Sequence, residues 1–529
     1  MTGDAERAAA YRARGLWDDA TVGWALPTAA QRWPGRVALV VGSERFTFAA
    51  LASRTSAVVD QLRAAGVGRG DRVLAQLPNC AELVLLVLGA WHLGAVPVPV
   101  VPMYREQEMR HIVRLTRPAV VAARAELRGR APAVELDAVL AELGHEPGLR
   151  VAVGGAAVGW SGMAAGAGDI GTPTPTAPDD PCLVLFTSGT TSAPKGVVHS
   201  SRALVAEART YRDGAQLGAA DAVLIPAPVA HVGALVAAAL LPSVTGGRTV
   251  VLERWEAAAA ARLGAAENVG LAVGAPVFLT ELLDRYEADP ALRRIPRFHT
   301  GAAPTGSSVI RRADAAGVTA WRAWGMTECP TVTYGGPDDP LELRESRDGR
   351  VEVGTEVRAV DASGAPLPPG EPGELQLRGP KLMLGYLGED GVVQPATGPD
   401  GWFTTGDLGV VHTDGWVSIQ GRTKDIINRG GEKFSAGEIE AAICSHPDIA
   451  AAAVLGVPDA RLGEKVAAVV SVVAGRSWPG PDVLVAHLED QRLARQKLPV
   501  EWRVVPELPR TATGKIRKAE LLAGWTVTP

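Results

Sequence analysis

The sequence FTSGTTSAPKGVVH runs from Phe186 to His199 and follows the apolar run PCLVL. It differs from the phosphate loop G-x-x-x-x-G-K-[ST], because Lys195 lies between Pro194 and Gly196. A strand followed by hydroxyls, glycines and a lysine can still wrap a polyphosphate, since glycine lets the backbone approach and hydroxyls and amides donate hydrogen bonds. A solvated Ser/Thr turn is the alternative. The stretch therefore predicts a phosphate-binding loop after a strand.

Strand-like and helix-like patterns alternate on both sides of this loop. The runs RVALVV, DRVLAQL, PCLVLF and DAVLIPAPV are separated by alanine- and leucine-rich segments up to about residue 320. This rhythm indicates parallel sheets covered by helices. From Val351 onward, short runs broken by Gly, Pro and Asp indicate antiparallel hairpins. After Gly421, helical and strand patterns mix again, which predicts a small α+β domain.

Size and composition favour a large globular enzyme. The chain has 529 residues, 47% of them hydrophobic and 21% charged, so more than one packed unit is expected. A net charge of -5 without basic runs argues against nucleic acid or an anionic membrane surface as a partner. The four cysteines are far apart and fit neither a zinc site nor a disulfide framework, so buried, reduced thiols are expected.

Neither the N-terminus nor the long apolar run that begins at Leu83 predicts export or membrane insertion. The first twenty residues lack the apolar core of a secretory signal, so a cytoplasmic location is expected. The apolar run from Leu83 to Met103 contains His92 and three prolines. Because each proline removes a helix hydrogen bond, a buried helix followed by a buried strand is favoured over a membrane span.

Further motifs follow the loop in a fixed order. They are TGAAP (300–304), WGMTE (324–328), GELQLRGPKLMLGY (373–386), TTGD (404–407), GRTKDIINRGGEKFSAGEIE (421–440) and LPRTATGKIRK (508–518). Together with the loop they resemble the adenylate-forming superfamily, which includes acyl-CoA synthetases, aryl-acid ligases, adenylation domains and luciferases. ERFTFAAL and GVGRGDRVLAQLPNC extend the resemblance to nearly the whole chain.

The resemblance implies an ATP site, with Mg²⁺ held by Glu328. It implies that Lys195 and the loop hydroxyls hold the β- and γ-phosphates, that Thr327 touches the α-phosphate, and that Lys515 bridges the attacking carboxylate and ATP. Asp407 and Arg422 would bind the ribose, and Trp324 would stack on adenine where tyrosine is commoner. The implied ATP- or AMP-binding residues are Thr187, Ser188, Gly189, Thr190, Thr191, Lys195, Gly301, Ala302, Ala303, Pro304, Trp324, Gly325, Met326, Thr327, Asp407, Arg422 and Lys515.

Each of the principal residues also has a structural interpretation. Glu328 could be a helix-cap or surface carboxylate, Asp407 a turn former, and Lys515 one more charge in a solvated GKIRK tail. A carboxylate that attacks ATP approaches a negative group, however, and a like-charge contact at ~4 Å costs roughly 4 kcal/mol at an effective dielectric of about 20. The reaction therefore needs cations of the kind these motifs supply.

The acid pocket is expected at His231, Val232, Gly301 and Met326. His231 matches a position that closes the acid site in many relatives, although a lone histidine in an apolar run can also be a hydrogen-bonded core residue. Val232 cannot bind a ring hydroxyl as the asparagine of 2-hydroxybenzoate ligases does. No acidic residue near it in sequence could pair with an amino group. A nonpolar acid is favoured, and PVAHVGAL, YREQEMRHIVR and the loop resemble cyclohexanecarboxylate-type CoA ligases.

A second half-reaction is implied by the C-terminal motifs. Lys424 matches a hinge about which the C-terminal domain rotates, and Gly430 and Gly431 match a tunnel for the thiol, with an ordinary turn as the alternative. The thiol would belong to CoA, which needs a basic patch for its 3'-phosphate, or to the phosphopantetheine of a carrier protein. Because the chain ends eleven residues after Lys518, a carrier is expected to act in trans.

The sequence thus predicts an α/β enzyme with layered sheets and a small β-barrel-like part in residues 1–422, and a hinged α+β domain in residues 423–529. The predicted reaction is ATP-dependent adenylation of a nonpolar acid, release of pyrophosphate and transfer to CoA. A stand-alone enzyme that loads a carrier protein is the alternative. A nucleotide sensor that has lost catalysis is disfavoured, because Lys195, Glu328, Asp407, Arg422 and Lys515 are all present.

Overall fold

The computed structural model describes residues 2–187, 194–429, 432–459, 461–473, 475–511, 515–523 and 525. The first part of the chain forms a five-stranded, all-parallel sheet in the order β4-β3-β5-β6-β7. The predicted buried helix and strand are confirmed as α4 and β4, and both are buried. The elements are α1 (Thr2–Ala13), α2 (Val22–Arg32), β1 (Val37–Val41), β2 (Glu44–Thr47), α3 (Phe48–Ala64), β3 (Arg72–Gln76), α4 (Ala81–His92), β4 (Val96–Val100), α5 (Glu106–Thr116), β5 (Val120–Arg124), α6 (Pro132–Glu142), β6 (Leu149–Val153), β7 (Ser161–Gly162) and β8 (Pro181–Phe186).

The central part adds a nine-stranded sheet in the order β16-β15-β14-β13-β12-β10-β11-β1-β2. Six neighbouring strands of this sheet are parallel: β14, β13, β12, β10, β11 and β1. The edge strand β2 on one side, and β15 and β16 on the other side, pair with their neighbours in the antiparallel direction. A π-helical turn (Val236–Leu240) joins α8 to α9. The elements are β9 (Gly196–Ser200), α7 (Ser201–Gly214), β10 (Ala222–Ile225), α8 (Val232–Leu235), α9 (Leu241–Thr245), β11 (Arg248–Val251), α10 (Ala257–Ala266), β12 (Leu271–Gly274), α11 (Pro276–Ala288), β13 (Arg297–Thr300), α12 (Ser307–Ala315), β14 (Thr319–Met326), β15 (Cys329–Tyr334), α13 (Leu341–Ser346) and β16 (Arg350–Val351).

Antiparallel strands follow, as the turn-rich pattern predicts. One four-stranded sheet has the order β17-β18-β21-β22, and a second one, β20-β19-β9-β8, includes the two strands that flank the phosphate-loop sequence. The elements are β17 (Glu356–Val360), β18 (Pro372–Arg378), β19 (Gly385–Leu387), β20 (Val393–Gln394), β21 (Phe403–Val411) and β22 (Val417–Arg422).

The remaining residues form a five-stranded sheet with helices and a hydrophobic core of their own. A 3₁₀ turn (Thr423–Asp425) leads into this part. The elements are β23 (Ile426–Arg429), β24 (Glu432–Ser435), α14 (Ala436–Ile443), β25 (Ile449–Asp459), β26 (Gly463–Val472), α15 (Pro481–Asp490), β27 (Glu501–Val504) and α16 (Lys518–Ala523). The predicted α/β class, with a large N-terminal part and a smaller α+β part, is confirmed.

Two further expectations concern cysteines and membranes. All four cysteines are free thiols; Cys80, Cys182 and Cys329 are buried and Cys444 is partly exposed. Among the residues that the structure describes, no helix is long and apolar enough to cross a membrane.

Candidate active site

The phosphate-loop sequence is closed at its base by two hydrogen bonds. The Thr187 amide donates to the carbonyl of Lys195 at 3.0 Å, and the Lys195 amide donates to Oγ1 of Thr187 at 3.1 Å. These bonds continue the β8–β9 ladder, in which Phe186 lies opposite Gly196. The predicted phosphate ligands Ser188, Gly189, Thr190 and Thr191 lie outside the described residues. Lys195 is therefore held at the mouth of the hairpin, with its side chain exposed.

Glu328 lies at a tight turn between β14 and β15. Met326 and Cys329 are paired across this turn, so Thr327 and Glu328 project from the edge of the sheet. The backbone on both sides is tied down: Nε2 of His199 donates to the Thr327 carbonyl at 2.7 Å, and the Met383 amide donates to the Glu328 carbonyl at 2.8 Å. Both tethers fix the candidate magnesium ligand in position.

Tyr386 links Glu328 to Lys195. Its hydroxyl donates to Oε1 of Glu328 at 2.8 Å, and Nζ of Lys195 lies 4.8 Å from the centroid of its ring. Burial and the neighbouring Glu328 carboxylate raise the pKa of Tyr386, so the hydroxyl keeps its proton and remains a donor. Within the described part of the chain, the hydrogen bond to the Glu328 carboxylate is made to Oε1, so Oε2 could bind another ligand. One carboxylate oxygen suits Mg²⁺, which takes one or two carboxylates and completes its octahedron with phosphates and water.

Asp407 is buried, and its carboxylate contacts Trp324 and Arg422 among the residues that the structure describes. Nε1 of Trp324 donates to its Oδ2 at 2.8 Å, and Nε of Arg422 lies 3.0 Å from its Oδ1. The second contact follows from the register of β21 and β22, where Asp407 and Arg422 are opposite each other. The carboxylate still has free lone pairs and can accept ribose hydroxyls. The sequence suggested Trp324 as a stacking residue but did not reveal its hydrogen bond.

The loop 300–304 lies close to β14. The Gly301 amide donates to the Gly274 carbonyl at 3.2 Å, and a Cβ on Gly301 would lie 3.2 Å from the Ala323 carbonyl oxygen. Ala302 has a left-handed φ of 67°, a strained conformation for alanine that is typical of functional loops. Ala302 and Pro304 are exposed, and Ala303 is half-buried.

Gly325 and Met326 complete the WGMTE segment. A Cβ on Gly325 would lie 1.9 Å from the Pro330 carbonyl oxygen, so the close approach of β14 and β15 requires glycine here. Met326 is half-buried and packs against the core cluster around Trp324.

Lys515 reaches this region from the C-terminal part of the chain. Its amide donates to Oγ1 of Thr511 at 3.1 Å, and its carbonyl accepts from the Thr511 amide at 2.7 Å. Burial lowers the pKa of the Lys515 ammonium, Arg422 lowers it further, and Asp407 and Glu328 oppose the change. The predicted catalytic lysine therefore lies within electrostatic range of the candidate ribose and magnesium ligands.

His231 follows β10 and precedes α8. Burial and the nearby Lys515 lower the pKa of His231 to about 4, so the ring is neutral at physiological pH. Its Nε2 is buried and has no hydrogen-bond partner among the described residues. Val232 belongs to the hydrophobic cluster that contains Leu235 and Val236, whereas Ala234 and Ala237 belong to the cluster on the face of the central sheet. Val232 and Ala234 therefore pack in two different core clusters.

Asn79, at the carboxyl end of β3, fixes the segment before His231. Its Nδ2 donates to the carbonyls of Ala227 at 3.0 Å and Leu252 at 2.9 Å, and its Oδ1 accepts from the Val229 amide at 2.7 Å. The motif containing Asn79 was visible in the sequence, but the residues that Asn79 bonds lie 148, 173 and 150 positions away along the chain. Asn79 is a positioning residue that sequence analysis missed.

Of the predicted hinge and tunnel residues, the structure describes only the hinge residue. Lys424 lies in the 3₁₀ turn that follows β22, and burial and Arg422 lower its pKa. Gly430 and Gly431 lie outside the described residues. Within the part of the chain that is described, no cluster of three or more His, Cys, Asp or Glu could hold a metal by itself. A magnesium ion at this site would need oxygens of the bound nucleotide in addition to the candidate ligand Glu328.

Comparison with known proteins decides the family. The chain matches the model described as AMP-binding enzyme over residues 26–387, and the model of the AMP-binding enzyme C-terminal domain over residues 438–515. It belongs to the AMP-binding enzyme family. The resemblance to adenylate-forming enzymes is thereby confirmed. This AMP-binding enzyme is an AMP-forming acid–thiol ligase that uses ATP, Mg²⁺ and the thiol of CoA or of a carrier protein.

Relatives of this AMP-binding enzyme differ in acid and acceptor. The chain is 32% identical to the medium-chain fatty-acid–CoA ligase of Escherichia coli, with 98% of this chain and 93% of the relative covered. It is also 32% identical to a salicyl-AMP ligase / salicyl-S-ArCP synthetase of Mycobacterium tuberculosis, with 98% and 93% covered. The ATP-bound MatB structure from Rhodopseudomonas palustris is similar, with a TM-score of 0.83, 27% identity, and 95% and 99% of the two chains covered.

Proposed function

We propose that this enzyme activates a largely nonpolar carboxylic acid as an acyl-adenylate, releases pyrophosphate and transfers the acyl group to CoA. The observation that carries the proposal is the convergence at Lys515. Its ammonium lies near Glu328 and Asp407, and near the neutral ring of His231. A cation there can stabilise the negative charge that develops when the acid attacks the α-phosphorus. We assign Lys195, and a magnesium ion that Glu328 would hold, to binding the β- and γ-phosphates, which leave as pyrophosphate.

The apolar character of the acid is inferred from the walls near His231. The helical segment after this residue turns Ala234, Ala237 and Leu241 toward the central sheet. Methyl and isobutyl groups cannot compensate the desolvation of a charged substituent. Gly233 is exposed, and a Cβ there would contact nothing within 4 Å, so the entrance beside His231 is open.

Transfer to a thiol requires Lys515 to leave the site. We assign residues 1–422 to a nucleotide- and acid-binding domain and residues 423–529 to a mobile domain, with Lys424 at the hinge. The 3₁₀ turn at Thr423–Asp425 supports this assignment, because a short turn between two sheets can absorb a change of φ and ψ. Gly430 and Gly431 would then line the path of the thiol.

A carrier protein is the second candidate acceptor. The likeness to the M. tuberculosis protein, named as a salicyl-S-ArCP synthetase, is as extensive as the likeness to the E. coli CoA ligase. Both acceptors present a phosphopantetheine thiol, so the same adenylation site serves either. The narrower likeness to cyclohexanecarboxylate ligases stays a prediction.

Pyrophosphate release with ATP and Mg²⁺ over a panel of carboxylic acids tests the proposal. Each acid is assayed with and without CoA, and the thioester is detected by mass spectrometry. We expect turnover to rise with CoA and to yield an acyl-CoA. Adenylate without thioester would favour the carrier-loading candidate, and no pyrophosphate with any acid would contradict the proposal.

A further inference from the structure

The peptide group that joins Pro194 to Lys195 is held at both of its polar atoms. Its N–H donates to Oγ1 of Thr187 at 3.1 Å, within the β8–β9 hairpin. Its C=O lies 2.9 Å from Nε2 of His111, a residue of α5 that is 83 positions away along the chain. A carbonyl can only accept, so we assign the imidazole proton to Nε2. The backbone that leads into Lys195 is therefore tied both to its own hairpin and to a separate helix.

The helix that carries His111 is held in place by its packing. Met109 and Ile112 are three positions apart on α5 and lie on one face of the helix. Both are buried in a hydrophobic cluster that also contains Phe186 of β8 and Val198 of β9. Because α5 shares this core with the hairpin, the helix cannot turn without exposing apolar surface to water. The imidazole is thus presented to the hairpin by a fixed support.

Phe186 adds an apolar contact beside this hydrogen bond. The rings of His111 and Phe186 meet edge to face, with centroids 6.4 Å apart and planes at 79°. The ring of Phe186 also covers the backbone after the lysine: a Cβ on Gly196 would lie 3.3 Å from this ring and 3.2 Å from Cβ of Leu387. The contact of His111 with the hairpin therefore has a polar part and a ring part, which substitution can separate.

The side chain of Lys195 depends on this backbone for its direction. It is exposed, and its Nζ lies 4.8 Å from the centroid of the Tyr386 ring. A lysine presents a point charge on a flexible stem, and it loses conformational freedom when it binds a phosphate. A fixed peptide group at its base reduces that loss, because the direction of the Cα–Cβ bond is already set. The bond from His111 should therefore affect nucleotide affinity through the lysine.

We propose that His111 is a positioning residue for Lys195. Its hydrogen bond to the Pro194 carbonyl holds the lysine in the direction of the β- and γ-phosphates of ATP. This rests on the proposed function, which assigns Lys195 to these two phosphates. AMP lacks both of them, so its binding should not depend on His111.

Binding of MgATP and of AMP, each measured by titration calorimetry without any acid, tests the proposal. His111→Phe keeps an aromatic ring beside Phe186 and removes the donor. We expect its Kd for MgATP to rise about three- to tenfold, the usual effect of losing one hydrogen bond, and its Kd for AMP to stay the same. An unchanged Kd for MgATP, or an equal rise for the two nucleotides, would overturn the proposal.

A donor without a ring should restore binding. The side-chain amide of His111→Gln places an N–H at about the reach of the imidazole Nε2, so it can donate to the Pro194 carbonyl. We expect this variant to bind MgATP within about twofold of the wild type. If His111→Gln binds MgATP as weakly as His111→Phe, the hydrogen bond is not the cause and the positioning role is wrong.

Removal of the lysine shows whether His111 acts through it. Lys195→Ala should weaken MgATP binding and leave AMP binding unchanged. In the double variant Lys195→Ala/His111→Phe, loss of the imidazole should add less than about a further twofold, because residues that act through one another are not additive. Full additivity of the two losses would contradict the proposal.

His145→Phe is the matched control. Nε2 of His145 lies 2.8 Å from the Pro118 carbonyl, and this contact is also partly buried, so the variant loses a bond of the same kind outside the β8–β9 hairpin. We expect wild-type Kd values for both nucleotides. A rise in the Kd for MgATP in this variant, equal to that in His111→Phe, would overturn a specific role for His111. Melting temperatures of all variants verify that each is folded during the titration.

These outcomes are independent of the acid panel that tests the proposed function. If no acid releases pyrophosphate, the proposed reaction is contradicted, and selective loss of MgATP binding in His111→Phe still supports the positioning role. If Lys195→Ala binds MgATP like the wild type, the assignment of Lys195 to the phosphates is wrong, and the role of His111 is wrong with it.

Discussion

The hydroxyl of Tyr386 donates a 2.8 Å hydrogen bond to Glu328, and the ring of the same residue lies 4.8 Å from the ammonium of Lys195. One side chain thereby connects the candidate magnesium ligand to the candidate phosphate ligand. We expect Tyr386→Phe, which keeps the ring, to need a higher Mg²⁺ concentration for half-maximal turnover. A hydrogen bond to a charged group is worth about 1.5–3 kcal/mol, so kcat/KM for ATP should fall roughly tenfold or more.

Tyr386→Leu separates the two contacts of this residue. It removes both the hydroxyl and the ring, so ATP binding measured by calorimetry should weaken more than in Tyr386→Phe. Tyr286→Phe serves as the control for loss of a buried tyrosine hydroxyl. If Tyr386→Phe binds ATP with unchanged Mg²⁺ dependence, the link to Glu328 has no role in nucleotide binding.

Removal of the Lys515 ammonium should impair only the first half-reaction. We expect Lys515→Ala to reduce adenylation by about 10² to 10³, the usual cost of losing one charge-stabilising donor. Transfer from preformed acyl-adenylate to the thiol should be retained, because the proposed rotation would withdraw the lysine from the site before that step. Arg517→Ala is the matched control, since Arg517 lies in the same segment and pairs only with Glu520 among the described contacts. Equal loss of both half-reactions would refute this role.

Acidification should destabilise the fold through its buried histidines. Burial lowers the pKa of His199 to about 4 from the usual 6.5, and the Thr327 carbonyl opposes this only in part. Because the folded pKa is the lower one, the stabilisation is complete above about pH 6.5 and is lost as the pH falls toward 4. At pH 5 this residue should contribute about 2 kcal/mol less to the free energy of unfolding than at pH 7.

Urea denaturation at pH 7, 6 and 5 measures this effect. His199→Gln keeps an N–H that can donate to the Thr327 carbonyl but cannot titrate, so its stability should change less with pH than that of the wild type. Parallel pH profiles for the two proteins would contradict the assignment to His199.

Lys381 should be one of the residues most sensitive to substitution. It is fully buried, and its Nζ lies 3.4 Å from Glu207 and 3.5 Å from Glu352, both also buried. Lys381→Met would leave two carboxylates without their cation, which typically costs about 3–5 kcal/mol. Arg63→Ala, which removes an exposed ion pair with Asp60, should cost less than about 1 kcal/mol. Thermal and urea denaturation would check both values, and similar losses in the two variants would contradict the prediction.

The sequence predicted the layers of the fold because hydrophobic periodicity is local. Runs such as Val37–Val41 and Val96–Val100 are read directly as buried strands, and both are strands here. The motifs also placed Lys195, Glu328, Asp407 and Lys515 in one site, and electrostatic coupling of Lys515 with Glu328 and Asp407 supports that grouping.

Contacts between distant segments were beyond the reach of sequence patterns. Nothing local indicates that the indole of Trp324 donates to Asp407, 83 positions away, or that Lys381 is buried, since lysine is almost always exposed. The direction of Val232 was likewise open, because successive residues on a helix differ by about 100° and one position decides which core cluster a side chain joins.

The three hydrogen bonds of Asn79 have a consequence for protein engineering. The segment that leads to His231 is fixed by a residue just beyond the carboxyl end of β3 and not by its own neighbours alone. The proposed acid-binding segment is therefore not structurally independent of the N-terminal part of the chain. A graft of residues 222–245 from a relative should therefore include the residue that contacts this segment from position 79.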